Sequence, residues 1–301
     1  DALRLTASLW RFWLGRGHFI LGRKHLGRAL ELRGAQSPSR TRTEALIGAG
    51  ALAFHQNDWE ASRRYFDEAL RISRAAGNRE GVGHALIGLG NLRLGQGEYA
   101  AARPLYREAM AVFTEAGHPR GAGLALSNLG RVAELSGDFD TAFPLYEQGI
   151  QVFREMGDVA SMALRLSSLG DLALKLGRHD ASRGYLVESL RLIRDLEERR
   201  AAAYALARSA TLAAEEGRLR DAGVLFGASE SIRRRIGPIM TPRESTEHES
   251  RVARARDDSG EAAFRAAWAE GEKLSFQEAI GYALACLETT RTESRSASGS
   301  P

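Results

Sequence analysis

The chain has 301 residues, 44% of them hydrophobic, enough for one large core or two modest ones. Its formal charge of +4, from 42 basic and 38 acidic residues, is too small a surplus to imply a nucleic-acid partner. A single cysteine, Cys286, excludes an intrachain disulfide and any multi-cysteine metal site.

The opening residues carry Leu3, Leu5, Leu9 and Trp13 at helical spacing, interrupted by Arg4 and Arg11, and lack the order of a secretory signal. With no initiating Met, the expectation is a chain that begins inside a larger protein. Apolar runs stay far short of the roughly 18 residues of a membrane span; residues 201–207 stop at Arg208. A cytoplasmic, non-membrane protein is expected.

Self-comparison succeeds at an offset of 40 residues, as Gly50, Gly90, Gly130 and Gly170 show. Seven positions later stand Asn57, Gly97, Gly137, Gly177 and Gly217, with Gly17 extending that column backwards. Aromatic or leucine columns follow (Leu26, Phe66, Tyr106, Tyr146, Leu186, Phe226), accompanied by small ones (Gly22, Ser62, Ala102, Ala142, Ser182, Ala222). Six units therefore run over residues 1–236. Each predicts two helices, because Leu86, Leu89 and Leu92, then Leu105, Tyr106, Ala109, Val112 and Phe113, recur at steps of three and four. Gly97 and its column separate the two; the pairs Gly77-Asn78, Gly117-His118 and Gly157-Asp158 end the second. Small residues let helix axes approach, aromatics fill the groove beside them, and stacking buries the flank that a lone hairpin would expose. Pro104 and Pro144 share one register inside the second helix, so either that helix starts later than the period suggests or its first turn is bent.

Beyond Arg235 the period stops at Ile236-Gly237-Pro238 and Thr241-Pro242. A helical cap is predicted over residues 237–288, with helices at 244–256, 260–271 and 276–287, the last opened by a Ser275/Glu278 capping box. Residues 289–301, rich in Ser, Thr and Arg, read as a disordered tail.

The columns Leu89-Gly90, Gly97-Glu98-Tyr99, Ala102, Tyr106 and Ala109 resemble the tetratricopeptide repeat, in a 40-residue variant with Leu46, Leu86, Leu126, Leu166 and Leu206 where the family usually has Trp. That resemblance implies an all-α fold, a tetratricopeptide-type α-solenoid of six hairpins with a C-terminal cap. The segments Leu225-Phe226-Gly227-Ala228-Ser229-Glu230, Gly260-Glu261-Ala262-Ala263-Phe264, Ala267-Trp268-Ala269-Glu270-Gly271 and Leu274-Ser275-Phe276 are similar to the C-terminal end of bacterial signal-transduction ATPases and LuxR- or AfsR-like transcriptional regulators. So is the opening Leu5-Thr6-Ala7-Ser8-Leu9-Trp10 with Arg16-Gly17-His18. In that family an upstream nucleotide-binding domain hydrolyses ATP and the repeats act as sensor or docking arm.

Catalytic chemistry is not predicted. Only three basic residues are lysines, Lys24, Lys175 and Lys273, and none follows Gly, so a phosphate-binding P-loop is excluded and no cofactor is expected. Gly48-Ala49-Gly50 sits inside a repeat helix with no strand before it. The seven histidines (His18, His25, His55, His84, His118, His179, His248) show no paired-ligand spacing and read as packing or surface residues, with no metal site. Ser229 lies in the small column, and Cys286 on the apolar side of the last helix is expected to be buried. Arg233, Arg234, Arg235, Arg251, Arg254 and Arg256 alternate with acids, which favours a salt-bridged face over nucleic-acid contact.

The tetratricopeptide resemblance implies a concave face lined by first-helix positions that avoid the packing columns: His84, Ile87 and Asn91; Leu124, Ser127 and Arg131; Leu164, Ser167 and Asp171. Mixed polar and apolar side chains suit an extended peptide or a protein partner. Two roles stay open, a regulatory arm that packs on an upstream nucleotide-binding domain of the same polypeptide and a free-standing scaffold.

Overall fold

The computed structural model describes residues 1–32, 34, 36–237, 240 and 242–297. Fifteen α-helices and no strand are present among them. They fall into two compact units, Asp1–Met156 and Gly157–Pro301, and the expected boundary at residue 236 lies inside the second.

The first unit holds four hairpins: α1 (Ala2–Arg16) with α2 (Phe19–Glu31), α3 (Arg40–His55) with α4 (Trp59–Ala75), α5 (Arg79–Gly95) with α6 (Tyr99–Glu115), and α7 (Pro119–Leu135) with α8 (Phe139–Glu155). The second holds two more, α9 (Val159–Lys175) with α10 (His179–Leu196) and α11 (Arg199–Glu215) with α12 (Leu219–Ile236). There follow α13 (Pro242–Ser259), α14 (Glu261–Lys273) and α15 (Phe276–Ala297). The expected tail boundary at 289 falls within α15, and residues 298–301 lie outside the described residues, as do Pro238 and Thr241 of the turn-rich break.

The columns explain the hairpins. Gly17, Gly97, Gly137, Gly177 and Gly217 all adopt left-handed backbone with φ between 68 and 79°, which ends one helix and aims the next. Within each hairpin the first glycine column meets the aromatic one: a Cβ on Gly50 would stand 2.9 Å from the Phe66 ring, and one on Gly90 2.5 Å from that of Tyr106. Ser62 donates to the Gly50 carbonyl at 2.8 Å, and at a different small column Ser189 and Ser229 donate across their own hairpins to the Ala163 and Ala203 carbonyls. These hydroxyls satisfy their own burial while cross-linking the two helices. Asn78, His118, Asp158 and Glu198 then cap α5, α7, α9 and α11, each accepting from the amide three residues on.

Both prolines sit inside helices that start where the period puts them, at Tyr99 and Phe139, so the alternative of a later start is wrong. Each ring costs one backbone bond, to the carbonyl four residues earlier at Ala100 or Asp140. Those residues are exposed, where water replaces the lost donor.

Two links adopt the left-handed turn without glycine, Asn57 (φ 58°) in the first column and Glu197 in the second. Glu197, at φ 51°, occupies the column that Gly77, Gly117 and Gly157 fill elsewhere. A β-carbon in this conformation costs about 1 kcal/mol. Glu197→Gly is therefore expected to raise stability by about that amount in urea unfolding, and an unchanged or lowered midpoint would contradict it.

The second unit closes on itself through glycine. Helix α14 crosses α12 so closely that the Gly227 and Gly271 positions abut the backbones of Trp268 and Val224, with no room for a side chain. Phe264 and Trp268, 5.7 Å apart, fill the space beside the crossing. Glu278 and Ser275 exchange the two bonds of the expected capping box at the start of α15 (2.8 and 3.3 Å). Cys286 is buried; desolvation pushes its thiol up to about 11 against the opposing pull of Arg218, whose guanidinium donates to Sγ at 2.7 Å. An inert packing cysteine results.

Candidate functional site

The nine face positions divide by what their side chains do. In the first unit Ile87, Leu124 and Arg131 are half-buried on α5 and α7, with part of each side chain open to solvent. His84 is less open: its ring packs edge-on to Phe113, centroids 5.0 Å apart, and to His118 at 5.8 Å. Desolvation, with Arg11, His118 and Arg120 nearby, pushes His84 down to about 3, so it is neutral at physiological pH. Asn91 is committed to the hairpin, its Oδ1 accepting from the Tyr106 hydroxyl at 2.8 Å.

Three of the expected face residues are buried, Ser127 and Ser167 completely and Asp171 nearly so. Ser127 is fully buried, donating to the Gly123 carbonyl at 2.8 Å and filling the space that Gly149 leaves on α8. Ser167 is fully buried beneath Arg208, whose guanidinium donates to its hydroxyl at 2.6 Å. Asp171 is buried in an ion-pair network with Arg251 (2.6 Å) and Lys175 (3.2 Å). Leu164, on the same helix, is half-buried against the core of the second unit. The physical reason is that a serine hydroxyl is short enough to fold against its own helix, as Ser127 does, or under a distant side chain, as Ser167 does, while α13 supplies the guanidinium over Asp171. Residues 237 onward carried no visible sign that they return to α9.

Sequence spacing missed a charged ladder. Arg40, Glu80 and Arg120 share the 40-residue register, and Arg40 donates to Glu80 Oε2 at 2.6 Å. The other carboxylate oxygen faces His118 Nε2 at 3.6 Å and His84 Nε2 at 4.0 Å. These three ligand-type atoms lie within 4.8 Å of one another. Their chemistry argues against a cation, however. His118 Nδ1 accepts from the Gly121 amide at 3.0 Å, which places the proton of the neutral ring on Nε2, towards Glu80. Arg11 and Arg120 add positive field at the same spot. The cluster is a hydrogen-bonded, salt-bridged rim beside Ile87 and Leu124, and its signal in the sequence was the alternation Arg, Glu, Arg at one register.

Comparison with known proteins agrees with this architecture. The tetratricopeptide repeat family model matches residues 41–115 and 96–155. The fold is the all-α tetratricopeptide-repeat fold. No curated protein matches the sequence. Among solved structures, the chain is similar to BtubC from P. vanneervenii, at 18% identity and a TM-score of 0.53, over 82% of this chain and 93% of that one. It is similar at 13% identity and a TM-score of 0.55 to a signal transduction ATPase with numerous domains from Pyrococcus horikoshii, which has a tetratricopeptide repeat sensor. That match covers 96% of this chain but 42% of the other. NprR, in complex with its cognate peptide NprX, matches at 13% identity and a TM-score of 0.53, over 95% and 87%. At these identities the likeness is one of fold. No catalytic family is indicated, and no helix among the described residues is long and apolar enough to cross a membrane.

Proposed function

We propose that this chain is a non-catalytic sensor arm that binds a protein or peptide partner on its first-helix faces. In this reading it reports that binding to a nucleotide-binding domain upstream in the same polypeptide, as in bacterial transcriptional regulators of the signal-transduction ATPase type. The observation that carries the binding half is the row on α5 and α7, where Ile87 and Leu124 offer apolar contact beside Arg131 and the Glu80/Arg120 rim. Apolar anchors flanked by fixed charge suit a peptide whose backbone needs partners as much as its side chains do. The likeness to an ATPase with a repeat sensor, and to NprR with its cognate peptide bound, supports this reading.

The test is recovery of partners by the intact chain against an Ile87→Glu, Leu124→Glu, Arg131→Ala variant. Asn91 and Asp171 are left unchanged, because their contacts hold the fold. Loss of at least one partner by about tenfold is expected, the equivalent of removing one or two anchors. Equal recovery of every partner by a folded variant would overturn the assignment of this face.

A further inference from the structure

The first and the last hairpin in the chain are finished differently. At the C-terminal end the last second-helix ridge, Ala222 and Phe226 on α12, is fully buried, with His248 of α13 packed edge-on to Phe226 at 5.7 Å. At the other end Leu5, Leu9 and Phe12 form one stripe along α1 at 62%, 36% and 54% exposure. Three large apolar side chains in one row leave α1 with an uncovered apolar face.

The later units show what such a stripe packs against. Leu52, Leu92, Val132 and Leu212 stand at the register of Phe12 and are at most 4% exposed. For Leu52, Leu92 and Val132 the cover includes the second helix of the preceding hairpin. Val132 and Leu129, the counterparts of Phe12 and Leu9, share an apolar cluster with Ala102 and Tyr106 of α6. Leu52 packs where α2 carries Gly22, and Leu92 shares a cluster with Phe66 of α4. The complement is the same each time, an amphipathic helix with a small residue four positions before an aromatic or leucine.

We propose that the Leu5–Leu9–Phe12 stripe is a docking site for one further amphipathic helix of this type, contributed from outside residues 1–301. A second copy of the chain does not supply it. Every such ridge here is already buried, from Gly22/Leu26 through Ala222/Phe226, and mating two α1 stripes would oppose the arginines Arg4 and Arg16 to themselves. The site is separate from the α5/α7 face and stands or falls independently of it.

The probe is a labelled synthetic peptide with the sequence of α4, Trp59–Ala75, which carries the ridge Ser62, Phe66 and Ala69. Saturable binding to the intact chain is expected by fluorescence anisotropy. Phe12→Glu and Leu9→Glu should each weaken it by about tenfold, as should Phe66→Ala in the peptide. Both chain positions are exposed, so unchanged helicity and melting temperature confirm that the variants fold. Absence of saturable binding up to about 1 mM, or binding indifferent to Phe12→Glu, would overturn the site. So would a dimer in light scattering that Phe12→Glu dissolves, since the face would then belong to a second copy.

Discussion

Gly271→Ala is expected to be among the most damaging substitutions in the chain, although alanine is the better helix former. A Cβ at 271 would overlap the Val224 carbonyl oxygen and lie 2.8 Å from the carbonyl carbon and 2.9 Å from the Ala228 nitrogen. All of these are backbone atoms of α12, which no rotamer change can move. The helix-propensity gain is about 1 kcal/mol. Against it, α12 and α14 must separate, losing the contacts of Ala267 with Gly223 and of Phe264 and Trp268 beside them, at a cost of about 3 kcal/mol or more. Overpacking against backbone wins. Gly184→Ala and Gly281→Ala form the internal control: both lie in helices with nothing within 4 Å of the new carbon, and each is expected to gain about 0.5–1 kcal/mol. Denaturant unfolding of the three variants decides the matter; equal and small effects at all three sites would refute the close crossing.

The same contrast explains what could be read in advance. Column positions such as Gly90 and Tyr106 were legible because the repeat prints each packing contact several times. The hairpins, their left-handed links and their caps follow from that repetition. Contacts made once are not printed. Nothing in the sequence pairs Gly271 with Val224, or Asp171 with Arg251 eighty residues away. For that reason Ser127, Ser167 and Asp171 looked available by register while tertiary contacts had taken them. The charged ladder of Arg40, Glu80 and Arg120 lay between these cases: its register was visible, but only the geometry showed that His84 and His118 lean into it. Likewise the exposure of Phe12 becomes meaningful only beside its buried counterparts.

Replacing Arg251 by Met is expected to cost about 3 kcal/mol, because a buried carboxylate loses its hydrogen-bonded guanidinium and keeps only Lys175 and the more distant Arg208 against its desolvation. Asp171 sits at 9% side-chain exposure, where burial alone would raise its pKa. Lys175, Arg251 and Arg208 outweigh that cost and hold it well below the ordinary carboxylate value, and Arg251 is itself raised by the pair. Glu247 completes the square, 2.6 Å from Arg251 and 3.3 Å from Lys175. Because the network ties α13 to α9, the Arg251 variant should lose amide protection over Pro242–Ser259 well before the rest of the second unit. The double variant Asp171→Asn, Arg251→Met should recover part of the loss, since no unpaired charge remains buried. Two groups on this assembly respond to acid in different windows. Asp171 is depressed, so its contribution is fully present above its unfolded value near 3.8 and fades only as pH falls through its still lower folded value. His248 of α13 is buried, chiefly desolvated and beside Arg233 and Arg251, and is lowered from 6.5 to about 4; protonation therefore opposes docking progressively as pH falls from 6.5 to 4. Helix α13 should loosen across that window through His248 while the Asp171 pair stays intact, and His248→Leu should flatten the dependence. Equal pH dependence of α13 protection in wild type and His248→Leu would show that the imidazole is not what holds the helix down.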